Sequence, residues 1–148
     1  MPTKPIHVSA ERTIAAPAGR VYALLADYGE GHPSILPPAI HDLRVVSGGV
    51  GAGTIATAVV TLGGRSTPVT LRVSEPEPGR LLRETADENG AVTDFVVDPA
   101  PVGSLVRIEM TLPRAGGLRG LVEGLLVPRL FRPVLRDQLE RVARATEA

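Results

Sequence analysis

The stretch from Leu118 to Ala145 constrains this chain most, because it is the one apolar-periodic segment long enough to form a major helix. Leu118, Leu121, Leu125, Leu135, Leu139 and Val142 recur at three-and-four spacing and share one helical face. Val122, Leu126, Leu130 and Val134 widen that face, so the first half is apolar over much of its girth. After Arg132 the pattern turns amphipathic, with Arg136, Asp137, Glu140, Arg141 and Arg144 outward, and this half predicts a helix lying on a sheet. Pro128 and Pro133 each remove an amide donor and crowd the preceding turn, which predicts a kink or a break into two helices.

Everything before this segment reads as short strands. Ile6 to Ile14 alternates, with Ile6, Val8, Ala10 and Ile14 on one side and His7, Ser9, Glu11 and Thr13 on the other. After Ala16-Pro17, the residues Arg20, Val21, Leu24 and Leu25 begin a helix of two or three turns that Asp27 and Tyr28 close. The run from Gly29 to Pro38 holds three prolines and two glycines, which permits a structured loop with one short helical turn. Its Ile35 and Leu36 imply packing over something apolar. Strand-like runs follow at Ile40 to Ser47, Thr54 to Leu62, Thr67 to Ser74, Arg80 to Ala86, Val92 to Asp98 and Leu105 to Leu112. Gly63-Gly64 and Asn89-Gly90 look like two-residue hairpin turns, and every connection is too short for a parallel crossover. The expected plan is one α+β domain over residues 1–148: a strand, two short helices, six antiparallel strands and a long helix covering one face of a curved sheet.

Composition removes several classes of function. Sixteen basic side chains balance sixteen acidic ones, so no net field attracts nucleic acid or an anionic membrane. From Arg114 onward seven arginines face four acids, a mild excess that a solvated helix face explains. Two Phe, two Tyr and no Trp leave no stacking platform for single strands. Cysteine is absent, which excludes disulfides, thiolate metal sites and a Cys nucleophile. No signal peptide or membrane span is indicated, so the expectation is a cytoplasmic protein without stable membrane insertion, as monomer or homodimer.

The run TIAAPAGRVYALLADY from Thr13 to Tyr28, a strand ending in Ala-Pro and entering a helix, resembles the opening of START-like, or SRPBCC, helix-grip domains. The order of elements agrees over nearly the whole chain. The best match within that superfamily is the polyketide cyclase/dehydrase-like group, and GGVGAGT from Gly48 to Thr54 is similar to a hairpin typical of it. The resemblance implies a START/Bet v 1-like fold: a seven-stranded antiparallel sheet gripping the C-terminal helix, with an apolar cavity for lipids, polyketides, hormones or other hydrophobic molecules.

Candidate site residues follow. His32 sits beside Pro33 in the apolar loop, where it is either a loop histidine bonded to backbone or an imidazole at a cavity mouth acting as donor, acceptor or base. The Tyr28 ring packs under the loop while its hydroxyl reaches solvent or a ligand. Arg12, on the apolar side of its strand, either snorkels to the rim or places a cation inside. If Phe95 faces the core, Asp94 lies outside. Leu118, Leu121, Leu125 and Phe131, with Ile35, Leu36, Phe95 and Met110, either enclose a cavity or form ordinary core. His7, His32 and His41 lack metal-ligand spacing, so neither metal nor cofactor is expected. Two functions compete: binding of a hydrophobic small molecule, with the Gly29–Pro38 and Gly116–Phe131 segments as entrance, or a cyclase or dehydratase using His32, Tyr28 or Arg12 for modest acid-base assistance. A protein-interaction surface on the apolar helix is a third reading.

Overall fold

The computed structural model describes residues 4–147. Strand β1 (Ile6–Ile14) buries Ile6, Val8 and Ile14 and exposes His7, Ser9 and Glu11, as its alternation requires. Pro17 precedes helix α1 (Ala18–Ala26), and its carbonyl accepts the amides of Arg20 and Val21. A single helical turn, α2 (Gly31–Ser34), follows. The chain then forms β2 (Ile40–Ser47), β3 (Ile55–Leu62), β4 (Arg65–Glu77), β5 (Leu81–Ala86), β6 (Val92–Ala100) and β7 (Gly103–Leu112), and ends in α3 (Gly117–Thr146).

All seven strands lie in one antiparallel curved sheet of order β1-β7-β6-β5-β4-β3-β2. β2 to β7 form a meander, and β1 pairs with β7 from Ile6 opposite Leu112 to Ile14 opposite Ser104. Gly63 and Gly64, both at positive φ, make the two-residue β3–β4 turn. The β5–β6 turn differs from expectation. The Ala86 amide donates the last cross-strand hydrogen bond there to the Ala91 carbonyl, so Asn89-Gly90 sits in a four-residue loop and not a two-residue one.

Helix α3 runs unbroken through Pro128 and Pro133. Packing of the C-terminal half offsets the two donors that the prolines remove. In that half Leu135, Leu139, Val142 and Ala143 join Val8, Ile14, Phe95, Val106 and Ile108 in the core. Two bonds anchor the end of α3: Arg20 donates to the carbonyl of Thr146, and Glu147 accepts the amide of Ala15. The first half of α3 does not pack in this way. Between it and the concave side of β2 to β7 lies a cavity.

Candidate functional site

The cavity has a volume of about 490 Å³, within the range of roughly 300–1,000 Å³ usual for small-molecule sites. Its walls are mainly aliphatic: Ile40 and Leu43 of β2, Val60 and Leu62 of β3, Val69 and Leu71 of β4, Met110 and Leu112 of β7, and Val127, Phe131, Val134 and Leu135 of α3. Ile40 and Leu43 have opposite parity in a regular strand. Both reach the cavity because β2 bulges between His41 and Arg44, where Asp42 takes a φ of 57°. The exposed lining residues Arg65, Thr67, Asn89 and Leu130 mark the mouth. It therefore lies between the β3–β4 hairpin, the β5–β6 loop and α3, and only His32 and Leu36 of the Gly29–Pro38 loop touch the cavity.

Local chain geometry aims His32 inward. The Asp27 carboxylate accepts the amides of Gly29, Glu30 and Gly31, and the Asp27 carbonyl accepts that of His32 at 2.7 Å. Gly31 lies so close to the Leu24 carbonyl that a Cβ there would collide with it, which lets α2 press against the end of α1. His32 is thereby only 2% exposed. Its Nδ1 lies 2.8 Å from the Leu25 carbonyl. A carbonyl only accepts, so Nδ1 carries the hydrogen and Nε2 is left facing Glu84 Oε2 at 3.4 Å.

The Tyr28 ring stacks on the imidazole with centroids 4.4 Å apart and planes 13° apart, and Phe95 meets it edge-on at 5.4 Å. The Tyr28 hydroxyl donates to Glu84 Oε2 at 2.6 Å. Burial first, and then the charge and hydrogen bond of Glu84, push the phenol well above its ordinary range, so it stays a donor. Oε2 is thus held by Tyr28 and turned toward His32. A bare carboxylate and a neutral Nε2 are both acceptors, and one proton between them converts the contact into a donor–acceptor pair. The arrangement is an oriented acid-base pair on a cavity wall.

Glu84 is the residue that candidate-by-candidate reading of the sequence missed. The signal was present: in β5 it shares parity with the inward Leu82 and Ala86. Gln138 was missed as well. It lines the cavity from α3, is 3% exposed and makes no hydrogen bond among the described residues, so its amide is available to an occupant.

Of the expected site residues, His32, Leu36, Phe95, Met110 and Phe131 line the cavity. Tyr28 stands behind His32 and acts through Glu84. Ile35 is fully buried core. Leu118, Leu121 and Leu125 neither line this cavity nor form core, being 77%, 64% and 65% exposed. Arg12 is exposed on β1 and away from the cavity, where its charge reaches Glu140, in line with the rim alternative. Asp94 pairs with Arg83 through two bonds at 2.8 and 3.0 Å. His7 bonds Thr111, and His41 bonds Asp42 and Thr61, so neither joins His32.

The chain matches a family model described as polyketide cyclase / dehydrase and lipid transport across residues 5–147. The chain belongs to that family. The solution structure of the KanY protein is similar at 27% identity and a TM-score of 0.87, covering 99% of this chain and 100% of that one. A START superfamily protein from Mycobacterium smegmatis (16% identity, TM-score 0.72, 98% of each chain) and the Zhui aromatase/cyclase of a Streptomyces species (21%, 0.72, 97% of this chain and 94% of that one) share the fold. A comparison with curated proteins finds no match. Family and fold agree on a hydrophobic-ligand-binding or polyketide-cyclase type of protein. No helix among the described residues is long and apolar enough to cross a membrane.

Proposed function

We propose that this protein binds one hydrophobic small molecule, lipid- or polyketide-like, in the cavity between the sheet and α3, and that Glu84, His32 and Gln138 meet hydroxyl or carbonyl groups of that molecule. The supporting observation is the make-up of the cavity: aliphatic walls interrupted by a few buried polar side chains, one of them an amide without a partner. Apolar area gives the affinity, and the unsatisfied amide penalises any occupant that cannot bond to it. Native mass spectrometry of the purified protein tests this, with an adduct on the bare chain as the expected result. Titration with the apolar fluorophore anilinonaphthalene sulfonate adds a second readout, and Ala91→Phe, which fills part of the cavity, is expected to weaken its uptake. A bare mass together with no fluorophore uptake refutes the reading.

A second reading, a cyclase or dehydratase, is favoured by one specific observation. The His32–Glu84 pair sits on the cavity wall with its imidazole tautomer fixed by Leu25 and its carboxylate fixed by Tyr28. Such a pair can take a proton from one atom of a held substrate and return it to another.

A further inference from the structure

The first half of α3 presents its large apolar side chains to solvent. Leu118, Leu121, Val122, Leu125, Leu126 and Leu130 all face outward and are exposed, while small Gly120 and Gly124 face Arg114 and Ala115. At 100° per residue the six cover about half the circumference, a continuous apolar patch and not scattered single residues. The Arg114 guanidinium lies against Gly124 on the other side of the helix, and the remaining charges up to Val134 are Arg119, Arg129 and Arg132 against Glu123, which is 3 − 1 = +2. Glu123 is itself engaged with Arg119 at 3.6 Å.

We propose that this face docks reversibly on an anionic lipid surface. Arg119, Arg129 and Arg132 share the exposed side of the helix with these leucines, so at an interface the leucines enter the boundary between headgroups and acyl chains while the long guanidinium side chains snorkel to the phosphates. Charge also decides against a second copy of the chain as the occupant, since apposing two such faces would bring like-charged arginines together. The helix lies on the surface and does not span it, as no window of it is apolar enough to cross. Leu130 belongs to both the exposed patch and the cavity mouth, so a docked helix sets that mouth beside the lipid. The docking does not rest on what the cavity holds.

The test is flotation of the purified protein with vesicles of phosphatidylcholine alone and of roughly one part phosphatidylglycerol to two parts phosphatidylcholine. Binding is expected to the anionic vesicles only, and to fall steeply between about 0.05 and 0.5 M salt. The double variant Leu121→Ser/Leu125→Ser is expected to bind about tenfold more weakly or less, and Arg129→Glu to lose the salt-sensitive part. Neither Leu121 nor Leu125 lines the main cavity, so a cooperative urea transition with an unchanged midpoint reports an intact fold in the double variant. Absence of flotation with anionic vesicles, equal flotation with both compositions, or an unaffected double variant overturns the proposal. So does a concentration-dependent dimer that the double variant dissociates, which would assign the patch to a second copy.

Discussion

Tyr28→Phe isolates one interaction in the candidate site. The ring stays, and with it the stack on His32 at 4.4 Å, while the 2.6 Å bond to Glu84 Oε2 is lost. Both partners are buried, so water does not replace the donor, and a hydrogen bond to a charged acceptor contributes about 1.5–3 kcal/mol. Urea denaturation at pH 7 should therefore show a loss of about 1.5–3 kcal/mol. A second signature separates this cause from a packing defect. The folded chain holds the Tyr28 phenol well above its ordinary value of 10.0, by burial first and then by Glu84, so the folded state binds this proton more tightly than the unfolded state. That contribution is fully present below pH 10 and is lost as pH rises from there toward the folded value, at about 1.4 kcal/mol per pH unit. Tyr22, raised by burial and then by its bond to Glu75, acts in the same direction. The wild type should lose stability above pH 10, and Tyr28→Phe should lose it less steeply. A variant within about 0.5 kcal/mol of wild type at pH 7, or one with an unchanged alkaline slope, would show that the Tyr28–Glu84 bond does not hold the site.

Leu139→Ala, at a fully buried core position, should cost about 2.7–5 kcal/mol, whereas Leu125→Ala, on the exposed face, should stay within about 0.5 kcal/mol; equal losses in denaturation curves would put Leu125 inside. His32→Gln should leave affinity for a bound hydrophobic molecule within about 1 kcal/mol in a binding protein. In a cyclase the same change should lower turnover by about two orders of magnitude while leaving binding nearly intact, so paired calorimetry and turnover assays choose between the two readings.

Strand existence and order were legible because the inward faces of strands such as β1, β5 and β7 keep period-two parity, and the boundaries of β1 and β2 agree to the residue. Turn chemistry was less certain. Gly63-Gly64 closes a tight hairpin, but beside Asn89-Gly90 the Asn89 side chain bonds the Ala91 amide and stretches the connection to four residues. His32 stood out because of its apolar loop, yet its partner lies 52 positions away in β5 and meets it only through sheet curvature. Parity alone placed Glu84 inward, and an inward carboxylate becomes meaningful only once Tyr28 and His32 are seen to satisfy it. Ile40 and Leu43 show the opposite limit, since the bulge that brings both to the cavity has no composition signal beyond Asp42.

Helix α3 held the ambiguity that periodicity could not resolve. The step from Leu121 to Leu139 is five whole turns, so the two side chains point the same way, as their shared three-and-four spacing requires. Leu139 is nevertheless 1% exposed and Leu121 is 64% exposed. Helical phase therefore does not decide burial here, and position along the helix does. In the second half Leu135, Leu139 and Val142 pack with Val8, Ile14, Val106 and Ile108 of β1 and β7. In the first half Leu118, Leu121 and Leu125 of that same face stand in solvent, and the cavity is bordered instead by Val127, Leu130 and Phe131 on another side of the helix. Apolar spacing records which side chains share a face, but whether a sheet lies opposite that face is set by contacts far away in the chain, so residues that read as one apolar stripe divide into core at one end and exposed surface at the other.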